Sequence, residues 1–132
     1  MPLHLIKLCV GVSDVAWLES RARRGGELIV HTRMTPKRAA EVEEGGSLYW
    51  VIKGQVACRQ PIASIDTRGE GKASRCEIRL EPVVIRTAPL GRRPFQGWRY
   101  LEAKDAPVDL SRAEATDLPD DLVRELRELG AW

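Results

Sequence analysis

The sequence predicts a single α+β domain built around a curved or closed, antiparallel-rich sheet. Its 132 residues are the size of one domain and are enough to bury a core. In the middle of the chain, several apolar or alternating runs follow one another, which is typical of strands. Successive strands without intervening helices argue against a doubly wound parallel sheet. No repeat or low-complexity linker divides the chain, so residues 1–132 are predicted to be one domain.

The first half of the chain predicts strands that alternate with short helices. His4–Val10 alternates weakly and predicts the first strand. Ser13 is a suitable N-cap for the helix that follows, and the glycine pair Gly25-Gly26 ends it. Leu28–His31 predicts a short strand, and Thr35-Pro36 opens a second helix that reaches the next glycine pair. The apolar face of the first helix is predicted to comprise Val15, Trp17, Leu18 and Ala22.

The middle of the chain predicts the body of the sheet. Leu48–Ile52 is apolar at every position, which indicates a central strand buried on both faces. After a short turn, Val56–Ile65 predicts the next strand, and Pro61 predicts an edge or a bulge there because proline has no N–H to donate. Residues 66–74 predict a hairpin loop. Arg75–Ile85 then predicts one long, bent strand.

The last third predicts one more strand and a terminal helix. Residues 92–101, R-R-P-F-Q-G-W-R-Y-L, indicate a shaped turn that enters a final strand. Residues 103–110 are predicted to be irregular. An amphipathic helix is predicted over residues 119–129, because a proline stands near its first position and leucines form one stripe.

The net charge of +2 divides unevenly along the chain. Residues 1–101 carry 17 Lys and Arg against 10 Asp and Glu, whereas residues 102–132 carry 4 against 9. This segregation predicts a basic body, residues 1–101, followed by an acidic C-terminal segment, residues 102–132. The acidic segment either folds back on the body or leaves the basic face to an anionic partner. Uneven surface charge with no partner is the other interpretation.

Cysteine usage and hydropathy predict a cytoplasmic protein that is not in a membrane. Cys9, Cys58 and Cys76 are odd in number and far apart, which indicates neither a disulfide framework nor a zinc site. Each lies in an apolar run and is predicted to be a free core thiol, which fits a reducing compartment. No apolar run approaches the roughly 18 residues of a membrane span. The N-terminus does not resemble a signal peptide and is predicted to be part of the fold.

Catalytic and cofactor motifs are not found in the sequence, which favours a binding protein over an enzyme. The patterns G-x-S-x-G, H-E-x-x-H, G-x-G-x-x-G and the P-loop spacing do not occur. Residues 69–72, G-E-G-K, predict a hairpin tip. We therefore predict no catalytic residue, no metal and no cofactor. His31, beside Thr32 and Arg33, leaves a small hydrolase as a third, weaker interpretation.

The segment 92–101 is the strongest candidate for a binding site. It holds three of the seven aromatic residues of the chain within six positions, interleaved with arginines. Guanidinium groups bind phosphate through paired hydrogen bonds, and aromatic rings stack on unpaired bases. Alternation along this strand is expected to put Trp98, Tyr100 and, if the strand extends to it, Phe95 on different faces, so that at least one enters the core.

Three stretches resemble a bacterial family known as domain of unknown function number 1489. They are the N-terminal L-I-K-L-C-V-G, the central G-G-S-L-Y-W-V-I-K-G with its following R-Q, and F-Q-G-W-R-Y-L. The resemblance spans nearly the whole chain and implies no activity.

A second resemblance concerns the passage R-M-x-P-K-R followed by E-G-G-S-L-Y-W-V-I-K-G-Q-V-A-C-R-Q-P-I. It is similar to the core of PUA-like domains of the EVE and ASCH types. That resemblance implies a small pseudo-barrel with flanking helices, and a cleft beside the barrel that binds RNA or modified bases. The residues it implies for the cleft are Arg33, Tyr49, Trp50, Lys53, Trp98 and Arg99.

The sequence-based hypothesis is therefore a non-catalytic domain that binds RNA or a nucleotide-like or modified-base ligand in a basic, aromatic-lined cleft. The predicted ligand-binding residues are Arg33, Tyr49, Trp50, Lys53, Arg92, Arg93, Trp98, Arg99 and Tyr100. The alternative is a protein-interaction or homodimeric assembly module, in which exposed Trp98 and Trp132 anchor the partner.

Overall fold

Seven strands and two short helices make up a mixed α+β fold in the part of the chain that the computed structural model describes, residues 3–9, 14–25, 28–93 and 95–110. In chain order they are β1 (Leu3–Leu8), α1 (Val15–Arg23), β2 (Leu28–Thr32), α2 (Ala39–Glu43), β3 (Ser47–Ile52), β4 (Gln55–Arg68), β5 (Arg75–Leu80), β6 (Ile85–Gly91) and β7 (Trp98–Glu102). The α+β class is confirmed. The helix predicted over residues 119–129 lies outside the described residues. No described helix is long and apolar enough to cross a membrane.

The strands form one sheet in the order β2-β5-β4-β3-β1-β7, and β6 also pairs with β4. All pairs are antiparallel except β1 with β3, where Leu5 lies opposite Leu48. β3 therefore lies between two strands, and all six of its residues are buried, as the sequence predicted. Among the described strands no pairing joins β2 to β7, so the sheet does not close into a barrel.

The 14-residue strand β4 connects the two halves of the sheet. Its first half pairs with β3 on one edge and with β6 on the other, and its second half pairs with β5. The single long strand predicted over Arg75–Ile85 is wrong, because β5 and β6 are separate strands along the same edge of β4. Pro82 falls in the gap between them, where proline has no N–H for the ladder. The register of β4 shifts between Ile62 and Ser64, next to Pro61, which agrees with the predicted bulge.

A second register shift changes the face that β4 presents. Against β3 the pairing slips by one residue, since Trp50 lies opposite Cys58 but Val51 lies opposite Val56, so Val56 packs in one core and Cys58 in the other. We call the face of β3 that carries Leu48, Trp50 and Ile52 the front face, and the opposite one, with Tyr49 and Val51, the back face. The front core is closed by helix residues Leu18 and Val42 and by the β5 residues Cys76, Ile78 and Leu80.

Both helices differ from the sequence-based prediction at their start. Helix α1 is capped by Asp14, whose carboxylate accepts the Trp17 N–H at 3.1 Å; Ser13 lies outside the described residues. Helix α2 begins only at Ala39, because the Thr35 hydroxyl is engaged by the Thr67 hydroxyl at 2.8 Å and does not cap a helix. The irregular segment 103–110 lies against the sheet, where the Asp109 carboxylate accepts two hydrogen bonds from Arg59, each 2.8 Å long.

His4 on the back face links β1 to the start of β3. Its Nδ1 accepts the backbone N–H of Ser47 at 3.0 Å, which requires that nitrogen to be unprotonated. Burial, and secondarily the charge of Arg59, lower the pKa of His4 below its ordinary value of 6.5, although Asp109 opposes the shift. The folded protein thus resists protonation of His4 more than the unfolded chain does.

This arrangement predicts a loss of stability in mild acid. As the pH falls below about 6.5, the unfolded chain binds a proton at His4 before the folded protein does. The contribution of His4 to the free energy of unfolding is therefore complete above that pH and falls as the pH drops. His4→Asn, which retains an acceptor near the Nδ1 position, is expected to flatten the dependence of unfolding free energy on pH between 5 and 7, measured by urea denaturation. His31→Asn, at an exposed position, is the control and should retain the slope. Equal slopes in wild type and His4→Asn would contradict this account.

Candidate nucleotide cavity

A cavity of about 410 Å³ opens on the front face between helix α1 and the sheet. Its size falls within the roughly 300–1,000 Å³ typical of small-molecule sites. One wall is α1, the opposite wall is β2, and the floor is formed by β3 and β4 with the end of β1. The lining residues are Lys7, Leu8, Cys9, Trp17, Leu18, Arg21, Leu28, Ile29, Val30, Trp50, Gln60 and Leu80.

Two tryptophans give this cavity its aromatic surface. Trp50 on β3 is buried and contributes to the floor, because the front face of a central strand points into the core. Trp17 on α1 is 52% exposed, although helical spacing predicted it on the apolar face with Leu18. The guanidinium of Arg21, one turn later, lies 5.8 Å from the centre of the Trp17 ring. A ring and a cation at the mouth are therefore held close together.

A buried polar pair lies at the floor of the cavity. The indole N–H of Trp50 donates to the side-chain oxygen of Gln60 at 2.8 Å. Indole nitrogen is a donor only, so this bond fixes the Gln60 amide with its oxygen toward Trp50 and its NH₂ group away from it. Gln60 is 2% exposed, and apolar Cys58 and Ile62 flank it on the same face. A polar side chain held at this depth can determine the orientation of a ligand.

The charge at the cavity is positive. Lys7 and Arg21 line it, no aspartate or glutamate does within the described ranges, and neither cation has an ion-pair partner there. Glu19, on the same helix, is turned away and bonds Arg86 on β6 at 2.6 Å. Burial raises the pKa of the Cys9 thiol, so this sulfur is neutral at physiological pH. The cavity suits a flat, apolar ring that carries a negative charge.

Of the predicted site residues, Trp50 is the one that lines this cavity. Tyr49 points to the opposite face of β3, where it is buried and contacts the His4 ring edge-on at 5.0 Å. Burial raises the pKa of Tyr49. The two neighbouring aromatics of β3 therefore cannot line one cleft, because successive side chains of a strand point to opposite faces.

Trp98, Tyr100 and Arg33 lie in a second area, where β7 meets the loop after β2. The indole N–H of Trp98 donates to the carbonyl of Met34 at 2.8 Å, and the Tyr100 hydroxyl accepts the Arg38 backbone N–H at 3.1 Å. The two rings meet edge-on at 4.9 Å. Trp98 and Tyr100 thus share one face, as residues two apart in a strand must, and the expectation that they divide between faces was wrong for this pair. Trp98 is half-buried against the front core.

Phe95 and Arg99 lie on the other side of β7. The Arg99 guanidinium is 5.4 Å from the centre of the Phe95 ring, and Phe95 packs against the back core. The remaining predicted cations, Lys53, Arg92 and Arg93, lie at one end of the sheet, where the Arg92 N–H donates to the carbonyl of Gly54 at 2.8 Å. Lys53 also lines a second cavity of about 300 Å³ near the start of α1. The nine predicted residues are therefore distributed over several surfaces.

Sequence reasoning missed four residues of the cavity, Lys7, Trp17, Arg21 and Gln60, as site residues. Two of them carried a signal: Lys7 and Gln60 stand at positions that the strand alternation assigns to the apolar front face, with Leu5 and Cys58 as their neighbours two residues away. Polar residues at such positions are costly unless they are paired or used. The four-residue spacing of Trp17 and Arg21 predicted that both lie on one face of a helix. The sequence did not indicate that β2 forms the wall opposite that face.

No group of three or more His, Cys, Asp or Glu side chains that could hold a metal ion occurs among the described residues. His31, the candidate for a hydrolase, is exposed on β2 and does not line the cavity.

Comparison with known proteins agrees with the resemblance of the three sequence stretches. Neither a curated protein nor a solved structure matches the chain. One family model matches, and it covers residues 5–132, which includes all seven strands except the first two residues of β1. The chain therefore belongs to the family described as "Protein of unknown function (DUF1489)".

Proposed function

We propose that this domain binds RNA or a nucleotide-like ligand, without catalysis, and that the cavity between α1 and the sheet takes the base. The observation that carries the proposal is the combination of Trp17 and Trp50 with Lys7 and Arg21 around one opening of suitable volume. Aromatic faces stack on bases, and unpaired cations attract the phosphate. In this proposal the cavity takes the role of the basic, aromatic-lined cleft of the sequence-based hypothesis, although Trp50 is the one predicted residue that lines it.

Two features support a base in preference to an apolar metabolite. An apolar molecule would leave the NH₂ group of the buried Gln60 amide without a partner, whereas a base has polar atoms along its edge. Lys7 and Arg21, which form no ion pair with a carboxylate of the described residues, attract an anionic group to the mouth. The fold, in this proposal, is a PUA-like pseudo-barrel. The long strand β4, which pairs with β3 and β6 in its first half and with β5 in its second, supports that assignment.

The direct test is a fluorescence titration with ribonucleoside monophosphates and short single-stranded RNA at low salt, with tryptophan emission as the signal. Arg21→Gln and Lys7→Gln are each expected to weaken binding about 3- to 10-fold and to reduce the salt dependence, because each removes one phosphate contact. Arg23→Gln, on the exposed side of the same helix, is the matched control and should bind like the parent. No affinity for any of these probes, or equal effects of the three variants, would overturn the proposal.

The same titration examines the segment 92–101. The combined variant Arg92→Gln, Arg93→Gln and Arg99→Gln is expected to weaken binding of the RNA more than that of the monophosphates, since these cations lie outside the cavity.

The assembly alternative has one observation in its favour. Met34 is 68% exposed beside Tyr100, which is 36% exposed, so β7 and the loop after β2 present apolar surface. Trp98, the proposed anchor, already gives its N–H to Met34, and Trp132 lies outside the described residues. A dimer in light scattering that Met34→Ser disrupts, together with no nucleotide affinity, would favour assembly over ligand binding.

A further inference from the structure

We infer that Gln60 makes the cavity select bases with a carbonyl on the recognised edge over bases with an amino group there. The inference rests on the proposed function, since it concerns which base the same cavity takes. Gln60 is the specificity-determining residue in this account, and Trp50 is the positioning residue that holds it.

Only the donor half of the Gln60 amide, its NH₂ group, is free to bind a ligand. A glutamine that can use both halves binds adenine with two bonds, accepting from the amino group and donating to the ring nitrogen. Here the Trp50 indole N–H occupies the oxygen at 2.8 Å. Turning the amide over would place NH₂ against the indole N–H, two donors face to face. The amide therefore offers a ligand hydrogens only.

The NH₂ group of Gln60 borders the cavity. Within the described ranges, the Thr87 hydroxyl is the one fully enclosed side-chain polar atom without a hydrogen-bond partner. The Gln60 nitrogen has no partner in the described part of the chain either. Because it is not enclosed, it must border open space, and the space that Gln60 borders is this cavity.

The NH₂ group of Gln60 favours a ligand that presents an acceptor to it. A base carbonyl projects about 1.2 Å from the ring and accepts a hydrogen bond from the amide. An amino group at the same place would meet NH₂ with a second donor and leave both groups unpaired at the floor of the cavity, where Gln60 is buried. Rejection of this kind discriminates more strongly than shape alone.

The experiment uses two pairs of ligands that differ along one edge of the base. Inosine and uridine monophosphates carry a carbonyl beside a ring N–H, whereas adenosine and cytidine monophosphates, their respective partners, carry an amine beside an unprotonated ring nitrogen. The wild-type protein is expected to prefer the carbonyl member of at least one pair by about tenfold. Gln60→Met, similar in size but without a donor, should reduce that preference to less than about twofold. Gln60→Glu at pH 8 should reverse it, since a carboxylate accepts from both Trp50 and an amine.

The outcomes separate this inference from the proposed function. Measurable binding of all four monophosphates with no preference, or a preference that Gln60→Met retains, overturns the role of Gln60 and leaves the nucleotide cavity standing. Absence of binding to all four overturns both. Near-ultraviolet circular dichroism establishes that each variant is folded, and if Gln60→Glu does not fold, the Gln60→Met result decides.

Discussion

Replacing Gly46 with alanine is expected to destabilise the fold by about 3 kcal/mol or more, and to lower the melting temperature by roughly 10 °C. Gly46 lies where three elements meet: the start of β1, the end of α2 and the start of β3. A methyl group there would overlap the backbone carbonyl oxygens of Leu3 and Val42. Backbone atoms cannot move aside as a flexible side chain does, so β1 or α2 would have to shift.

The hydrogen bonds of Gly46 make such a shift costly. Its N–H donates to Val42 at 2.8 Å, and its carbonyl accepts the N–H of Ile62 at 3.0 Å, which ties α2 to β4. Gly91→Ala is the control: a methyl group there meets nothing within 4 Å, and its free energy of unfolding should change by less than about 0.5 kcal/mol. Chemical denaturation of both variants measures the difference. A Gly46→Ala protein as stable as Gly91→Ala would show that the junction is looser than described.

Replacing Trp17 with alanine is expected to weaken nucleotide binding by roughly 5- to 150-fold while leaving the fold intact. Stacking of one base on an aromatic ring contributes about 1–3 kcal/mol. Because the Trp17 side chain is 52% exposed and its main described contact is the nearby Arg21, its removal takes little from the core. Trp17→Ala should therefore lower the affinity with little change in stability, whereas replacing a core residue would lower the stability as well.

Two further variants complete this test. Trp17→Tyr keeps an aromatic face and should retain most of the affinity, and Met34→Ala removes an exposed apolar side chain away from the cavity and should change nothing. Isothermal titration with the tightest-binding monophosphate, alongside thermal melting, gives both quantities. If Trp17→Ala binds like wild type, the ring is not part of the site.

The residues explain why the strands were easier to predict than the site. Ser47–Ile52 is apolar at nearly every position, and such a short apolar run predicts a central strand buried on both faces. Helix α2 was predicted too long because Thr35 and Pro36 make a good local start, yet the contact of Thr35 with Thr67 on β4 comes from a strand far along the chain. A tertiary contact decides that boundary, and no local pattern reports it.

The candidate site depended on the same kind of information. The cluster at residues 92–101 was conspicuous because its aromatics are close together in sequence, but none of them lines the cavity: Trp98 packs against the front core and Phe95 against the back core. The cavity instead combines residues from β1, α1, β2, β3 and β4, whose proximity follows only from the strand order. The free cation Arg21 was also indistinguishable in sequence from Arg86, which the structure neutralises with Glu19.

The position of β1 also constrains the order in which the protein can assemble. Strands β3, β4 and β5 are consecutive antiparallel neighbours, so their pairing closes only short loops. Leu5 of β1, by contrast, lies between Leu48 and Tyr100, partners that are 43 and 95 positions away in the chain. Closing those loops costs conformational entropy, and the contacts of β1 offset that cost only when β1 inserts between β3 and β7. Since Lys7, Leu8 and Cys9 complete the cavity, a chain that lacks this insertion has its antiparallel strands but not yet a place for the ligand.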